Sequence, residues 1–338
     1  MDASHPEFDE EELREPGAET DERYIAAEPA LIAEPSTSRL RRRDVYPNPL
    51  VDGRERRESA WRSILAGLRG TFASRDHFKE AQLEARLAIP AMLTRTNVIP
   101  VISSKGGVGK TAVTFLIGNL LASRLKVRAL AVDMNPDFGT LAGFAPEVSR
   151  NDRSLADLLA AMPRLTCSAE MWAFVSRLPS GLHLLAAPER AEVMEAMTPV
   201  AYGDLLAFVG QYYEVLLLDL GTGVTDPLAQ FAVGRADQVV VVTTPEWVTS
   251  TSVSSALRYL DLDRATLILN QAHTRHAYDW RALERHFAEN DLAHSVTIPY
   301  DEQLRAMLDS GTFTLDALGR ATRLPIKQLG VEIAGQLV

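Results

Sequence analysis

The sequence predicts an α/β protein with a doubly wound, mostly parallel sheet flanked by helices. Beyond residue 96, apolar runs of strand length alternate with helical stretches, which is the pattern of parallel sheets. A glycine-rich loop follows the first run, and two later runs end in aspartate. Open α/β sheets bind ligands at the carboxyl ends of their strands, so the same features predict where a ligand binds.

The individual elements follow from this alternation. Strands are predicted in the runs at residues 98–102, 127–132, 214–223, 265–270 and 296–301. Helices are predicted at residues 112–125, 154–162, 198–209, 249–260, 279–290 and 325–337. Residues 136–150 and 163–179 are predicted to be irregular.

Charge divides the chain into three parts. The net charge is −10, and residues 1–36 alone carry twelve Asp or Glu against two Arg, so the remainder sums to about zero. We predict a disordered tail over residues 1–57, acidic and then arginine-rich, a helical extension over 58–95 and the α/β domain over 96–338. The domain is neither a polyanion nor a broadly basic nucleic-acid binder.

The extension begins with a basic amphipathic pattern. Its apolar residues fall at helical spacing: Trp61, Ile64, Leu65, Leu68 and Phe72. Such a helix can lie on an anionic membrane or pack against protein. Because Gly67 and Gly70 weaken it as an isolated helix, we favour packing against the α/β domain or a protein partner.

Composition excludes several classes of protein. Of the 338 residues, 46% are apolar and 24% charged, which suits a globular domain with extensions. No apolar stretch is long enough to span a membrane, and the acidic start is unlike a signal peptide, so a cytoplasmic location is expected. The sole cysteine, Cys167, excludes an internal disulfide and argues against thiolate-bound metals. We expect it to be a small buried residue.

The glycine-rich loop has the composition of a phosphate-binding loop. It reads Lys105-Gly106-Gly107-Val108-Gly109-Lys110-Thr111. Glycines allow backbone N–H groups to turn towards a polyphosphate, a lysine reaches the β- and γ-phosphates, and a hydroxyl after it can bind Mg²⁺. The usual pattern has glycine where this chain has Ser104, and Lys105 is an additional lysine.

The loop, together with the segment Asp133-Met134-Asn135-Pro136-Asp137, resembles the ParA/MinD group of deviant Walker ATPases over roughly residues 96–338. The resemblance implies ATP and Mg²⁺ as cofactors. It also implies that Lys105 crosses a dimer interface to the phosphates bound by the other subunit, so that ATP drives formation of a homodimer.

The family motifs assign site residues to matching positions. The resemblance implies a catalytic set of Lys105, Lys110, Asp133, Asn135 and Asp219. It implies nucleotide binding by Gly106, Gly107, Val108, Gly109, Lys110, Thr111, Ala112, Gly223, Asn270, Pro299, Tyr300 and Asp301. Magnesium would be held by Thr111 and by the Walker B position, Asp219.

Asn135 departs from the family pattern. Most relatives have an aspartate there, which positions or activates the attacking water, and an asparagine cannot accept the proton. Loss of such a group costs about a hundredfold or more in rate. The sequence therefore predicts a slow ATPase, or one in which Asp133 or Asp137 takes over this role.

These observations predict an ATP-dependent dimerising switch that positions or regulates a bacterial machine: chromosome segregation, cell-pole or division placement, or a secretion or conjugation apparatus. The alternative is a catalytically damped nucleotide-binding scaffold with a constitutive dimer.

A protein partner is expected to bind the tail or residues 58–88. The carboxyl-terminal region lacks a basic, aromatic membrane-targeting tail, and residues 273–286 give only weak support for nonspecific DNA binding, because helical spacing explains their basic and aromatic residues.

Overall fold

The computed structural model describes residues 77–136, 139–223, 226–246, 262–272 and 294–338. All of them belong to a compact unit that spans Arg39–Val338. The predicted tail, the stretch 58–76, the helices predicted at 249–260 and 279–290, and Asp137 lie outside the described residues. Secondary structure is numbered below over the described part of the chain.

The described strands form one mixed sheet. They are β1 (Asn97–Ser103), β2 (Ala129–Met134), β3 (Ser176–Arg177), β4 (His183–Leu185), β5 (Val215–Thr222), β6 (Val239–Thr243), β7 (Ala265–Ala272) and β8 (His294–Pro299). Their order is β3-β4-β2-β5-β1-β6-β7-β8. The pairing of β3 with β4 is antiparallel. Every other pair of neighbouring strands in this described sheet, from β4 to β8, is parallel. The fold class predicted from the sequence is confirmed.

Helices cover both faces of this sheet. They are α1 (helical over residues 77–87), α2 (Lys110–Ser123), α3 (Leu155–Ala161), α4 (Ser168–Trp172), α5 (Ala191–Glu195), α6 (Pro199–Val209), α7 (Pro227–Val233), α8 (Glu302–Asp309) and α9 (Arg320–Ala334). Short 3₁₀ turns lie at Leu141–Phe144, Glu147–Ser149, Met162–Arg164, Leu262–Arg264 and Leu315–Ala317.

Local sequence signals explain several helix starts. Ser154 and Asp157 form a capping box at the start of α3. Thr198 caps α6 and Asp226 caps α7, and each cap is followed by a proline at the first helical position. These caps satisfy backbone N–H groups that have no partner within the helix, and proline has no N–H to satisfy.

The strand order places a crevice beside β1. This strand lies between β5 and β6. The helix that follows β1 (α2) packs in one apolar cluster, and the helix that follows β5 (α7) packs in the other, so these two connections diverge. At such a reversal, the loops at the carboxyl ends of the strands diverge and leave room for a ligand. Two apolar clusters, one on each face, bury the sheet and leave only its carboxyl edge and loops to hold functional groups.

Three expectations from the sequence are wrong. Cys167 is exposed, because it lies at the N-cap of α4 at the surface rather than on an apolar face. The last helix begins at Arg320 and contains Pro325 in its second turn, where proline has no N–H to donate to the carbonyl four residues earlier. Residues 163–179 were expected to be irregular, yet they include α4 and the edge strand β3.

Helix α1 packs against the α/β domain, whereas the amphipathic stretch for which packing was predicted, residues 61–72, lies outside the described residues. Leu83 and Leu87 are 7% and 1% exposed within the core cluster that includes α2 and α9. Glu80 accepts hydrogen bonds from Arg323 at 2.7 Å, Lys327 at 3.1 Å and Arg320 at 3.2 Å. The hydrogen bond from Arg323 and the charges of Lys327 and Arg323 outweigh partial desolvation and lower the pKa of Glu80 to about 2.

Replacing Glu80 by glutamine is expected to destabilise the protein by about 2 kcal/mol at pH 7, less than the roughly 3–5 kcal/mol of a fully buried ion pair. Because the folded-state pKa is depressed from 4.5 to about 2, the carboxylate contributes stability that is complete above pH 4.5 and is lost as pH falls towards 2. Urea unfolding at pH 7 and at pH 4 measures both effects.

The exposed Glu189 provides a matched control for this prediction, because its side chain forms no ion pair with another described residue. Glu189→Gln is expected to leave stability and its pH dependence unchanged. Equal unfolding midpoints for the Glu80→Gln and wild-type proteins at pH 7 would show that the cluster does not stabilise the fold.

No helix within the described ranges is long and apolar enough to cross a membrane.

Candidate functional site

Two aspartates lie side by side at the carboxyl edge of the sheet. Asp133 in β2 and Asp219 in β5 are register partners on neighbouring parallel strands, and both residues are fully buried. Each follows buried aliphatic residues, so the strands bring the carboxyl groups into the interior. Burying two carboxylates together is unfavourable unless a cation or hydrogen bonds compensate.

Lys110 supplies the cation. It is the first residue of α2, and its Nζ lies 2.9 Å from Oδ1 of Asp219. The hydroxyl of Thr114, one turn along α2, donates to the same oxygen at 3.3 Å. The glycine-rich loop of residues 105–111, called the phosphate loop below, is therefore joined to Asp219, the Walker B position, by a buried ion pair between α2 and β5.

Asp133 is held differently. Its carboxyl group accepts backbone N–H bonds from Leu141 at 2.9 Å and Asn135 at 3.2 Å. Burial, reinforced by the neighbouring charge of Asp219, nevertheless raises the pKa of Asp133 to about 7. Near neutral pH, Asp133 is therefore partly protonated, which reduces the repulsion between the two carboxyl groups.

The backbone of the phosphate loop requires glycine at Gly109. This residue is left-handed, with φ 86° and ψ 30°, and precedes the first turn of α2. A Cβ atom there would lie 2.3 Å from Nδ2 of Asn270. The Asn270 side chain in turn donates to the carbonyl of Val108 at 2.8 Å, so β7 supports the loop from the side.

The donors fit a magnesium nucleotide. Asp219 Oδ2 is buried, and no hydrogen-bond partner is recorded for it in the described part of the chain. This carboxylate group lies beside Lys110. Its free oxygen and the hydroxyl of Thr111 are the kind of oxygen ligand that Mg²⁺ prefers. Within the described ranges, no three His, Cys, Asp or Glu side chains group into a metal site. Phosphate oxygens and water would therefore complete the coordination.

The remaining loop residues divide into two groups. Gly106 and Gly107 are exposed, whereas Val108 is buried in the core beneath the loop and contributes only its backbone to the surface. Thr111 and Ala112 are half-buried in the first turn of α2. Exposed glycines directly before a helix start are an arrangement in which backbone N–H groups can surround a phosphate.

Lys105 lies away from the buried ion pair. Its Nζ is 3.4 Å from Oε2 of Glu246, and the two side chains are 50% and 64% exposed. Glu246 follows β6, so the pair bridges two loops at the same edge of the sheet. An ion pair this exposed contributes about 0–1 kcal/mol, so Lys105 can leave it at little cost.

Asn135 and Gly223 lie on the segments that leave β2 and β5. A Cβ built on Gly221 would be 3.4 Å from Oδ1 of Asn135, so the two segments touch there. Gly223 has a φ of 109°, and its N–H donates to the carbonyl of Ser103 at 3.1 Å. The end of β5 is thus tied to the start of the phosphate loop.

The segment predicted to line the base lies at the end of β8. Pro299 closes the strand, and the N–H of Tyr300 donates to the carbonyl of Ala272 at 3.1 Å. The Asp301 side chain caps α8 and accepts a hydrogen bond from Thr322 of α9. Its carboxylate is therefore occupied by contacts within the protein.

Sequence reasoning missed two residues of this site. Thr114 lies four residues after Lys110 and therefore on the same face of α2, a helical spacing that predicts its proximity to Asp219. Glu246 gives no comparable signal, because its contact with Lys105 depends on where two loops meet.

Comparison with known proteins adds sequence relatives. A family model described as an AAA domain matches residues 96–271, just over half of the chain. The ESX-1 secretion-associated protein EspI of Mycobacterium tuberculosis is 29% identical over 230 residues, which are 65% of this chain and 34% of EspI. The antiactivator FleN of Pseudomonas aeruginosa is 26% identical over 239 residues, which are 66% of this chain and 81% of FleN. The matched region thus spans about a third of EspI.

A solved structure shows the same fold. The septum site-determining protein MinD from Pyrococcus horikoshii, in complex with Mg-ADP, superposes with a TM-score of 0.56 at 20% sequence identity. The match covers 69% of this chain and 94% of that protein.

Proposed function

The chain belongs to the AAA domain family whose model matches it, in the ParA/MinD group of P-loop NTPases, and from this premise we propose that it is a slow ATP-dependent switch. In this proposal the protein dimerises on ATP and regulates or positions a bacterial machine. The observation that carries it is the buried contact between Lys110 of the phosphate loop and Asp219, beside Asp133.

The phosphate loop and the start of α2 would hold the phosphates. Lys110 would exchange part of its contact with Asp219 for phosphate oxygens, and Thr111 and Asp219 would hold Mg²⁺. When bound, the metal neutralises charge on the β- and γ-phosphates. Asn270 and the backbone of residues 299–301 would line the base.

Hydrolysis would be slow because of Asn135. Its side-chain amide can orient a water molecule but cannot accept a proton from it. Asp133, with a pKa raised to about 7 and backbone hydrogen bonds on both oxygens, is a constrained substitute. Slow turnover suits a protein whose nucleotide state is a signal rather than a source of product.

Dimerisation would rest on Lys105. The side chain is half exposed, and within the described residues its ion-pair partner is the exposed Glu246. In a dimer Lys105 would reach the phosphates bound by a second copy of the chain. There, several anionic phosphate oxygens would stabilise the Lys105 ammonium group. Nucleotide binding would thereby become a condition for association.

For the machine itself, we favour a secretion apparatus. The similarity to EspI, which is described as associated with ESX-1 secretion, supports this choice over segregation or division placement. The similarity to the antiactivator FleN supports a regulatory protein in more general terms. A protein component of that apparatus would bind the tail or the extension that precedes residue 96.

The oligomeric mass of the full chain tests the proposal. We expect a dimer with ATP and Mg²⁺ and a monomer with ADP or without nucleotide. Lys105→Ala is expected to bind ATP within about threefold of wild type, because its ion pair is exposed, and yet to remain a monomer. Lys79→Ala, which removes an exposed lysine of α1, is the matched control and should dimerise normally.

The contrary outcome supports the other candidate function. A dimer of constant mass in all nucleotide states, unaffected by Lys105→Ala, would indicate a nucleotide-binding scaffold. The observation that favours this second candidate is that the chain has Asn135 at the position where most relatives have an aspartate that positions or activates the attacking water.

A further inference from the structure

A groove unrelated to the phosphate loop runs along the β3 edge of the sheet. It consists of two cavities of about 630 Å³ and 780 Å³ that share Trp172, Arg177 and His183. We call this the edge groove. Its first lobe is completed by Val148, Ser149, Arg150, Asn151, Ala173 and Val175, and its second by Arg128, Ser168, Gly181, Gln211, Tyr212 and Tyr213.

The second lobe lies at the opposite end of the strands from the phosphate loop. His183 is the first residue of β4, Arg128 directly precedes β2, and Tyr213 lies two residues before β5. These positions are the amino ends of parallel strands, whereas Asp133 and Asp219 lie near the carboxyl ends. The edge groove is therefore a separate place on the molecule.

Three aromatic rings give the groove a fixed wall. The Trp172 and His183 rings meet edge to face at 6.1 Å and 84°, and the His183 and Tyr213 rings at 5.6 Å and 77°. Nδ1 of His183 also lies 2.7 Å from the Tyr213 hydroxyl. Tyr213 is buried, but Trp172 remains 39% exposed. An indole held in place and left partly in water is a surface on which a planar ring can stack.

The three arginines that line the groove, Arg128, Arg150 and Arg177, differ in their partners. In the described part of the chain no carboxylate is recorded within ion-pair distance of Arg177. Arg128 lies 3.5 Å from Glu214, and Arg150 donates to the carbonyls of Gly143 and Ala145. Arg177 is thus the cation that an incoming anion would meet, flanked by neutral or satisfied groups.

His183 does not add a second charge. Burial, and to a smaller extent the charge of Arg177, lowers the pKa of His183 to about 4, so the ring is neutral at pH 7. Among the arginines that line the groove in the described part of the chain, Arg177 alone has neither a carboxylate nor a carbonyl partner, and the groove therefore does not match a polyanion such as nucleic acid, which several available cations would have to bind. It matches a compact ligand with one anionic group.

We propose that the edge groove binds a small ligand that combines one planar ring with one anionic group, of the class of a nucleoside monophosphate. The ring would stack on Trp172, the anion would pair with Arg177, and the neutral His183 would hydrogen-bond between them. Each lobe falls within the roughly 300–1,000 Å³ of small-molecule sites. The proposal stands independently of the ATP site.

The indole N–H signal of Trp172 provides a local test in the full chain by ¹⁵N nuclear magnetic resonance. The signal is assigned with Trp172→Phe, since the chain contains four tryptophans. Titration with adenosine 5′-monophosphate is expected to shift it saturably. Adenosine, which lacks the anion, and inorganic phosphate, which lacks the ring, should each bind at least about tenfold more weakly.

Variants identify the anion-binding group. Arg177→Gln is expected to weaken adenosine monophosphate binding by about tenfold or more, and Arg177→Lys by less. Arg164→Ala is the matched control, because Arg164 is exposed near the same edge but lines neither lobe. A Trp172 signal that does not saturate below millimolar ligand, or equal affinity in Arg177→Gln, would overturn the proposal. The remaining signals of each variant show whether it is folded.

Discussion

Replacing Lys110 by alanine is expected to weaken ATP binding by roughly 10- to 100-fold. A charge-assisted contact to phosphate contributes roughly 1.5–3 kcal/mol, and each 1.4 kcal/mol is a factor of ten in affinity. Lys110 is buried and aimed at the carboxyl edge by α2, so no neighbouring cation of the described residues replaces it there. Binding of a fluorescent ATP analogue with Mg²⁺ measures the change.

The same substitution removes the counter-charge of Asp219, whose side chain is 1% exposed. Stability is therefore expected to fall as well, and thermal unfolding must accompany the binding measurement. Lys110→Arg separates the two effects, because it keeps a cation beside Asp219 but changes its reach. If folded Lys110→Ala bound ATP as tightly as wild type, the loop would not be the phosphate site.

Replacing Asn135 by aspartate is expected to raise the ATPase rate by about a hundredfold. The new carboxylate would supply the proton acceptor that the asparagine lacks, in a segment that already contacts the end of β5 at Gly221. Phosphate release under saturating ATP, with the full chain, measures the rate. The gain should appear in the turnover number rather than in the affinity for ATP.

Asn135→Ala is the matched control for this second substitution. It removes the amide without adding a carboxylate, so no gain is expected. An unchanged rate in Asn135→Asp, with ATP still bound, would mean that other parts of the hydrolytic machinery are absent and would favour the scaffold.

The sheet could be predicted because its signals are local. The runs that became β1, β2, β5, β7 and β8 are aliphatic and bounded by turn residues, and burial on both faces requires that pattern. The two-residue β3 carries no such signal, since its pairing depends on β4. Pro325 misled the prediction of the helix boundary because proline often begins a helix, whereas α9 begins earlier, at Arg320, after Gly319 and without a side-chain cap.

The site was predictable to a similar extent. The loop motif and the aspartates after apolar runs predict Lys110, Asp133 and Asp219 near one another, because parallel strands end at one edge. Contacts between side chains that are brought together only by tertiary packing could not be predicted from the sequence in this way. The contact of Asn270 with the loop carbonyl at Val108 and that of Lys105 with Glu246 depend on loop positions that sequence spacing does not encode.

The cluster around Glu80 has a consequence for synthesis on the ribosome. Its partner Arg323 lies 243 residues further along the chain, so α1 emerges long before the helix that receives it. At about 5–20 residues per second, the interval is roughly 10–50 s, during which Leu83 and Leu87 have no apolar surface of α9 to cover them. Helix α1 therefore completes its packing only after α9 has been synthesised, and in that interval it presents a surface that a chaperone can bind.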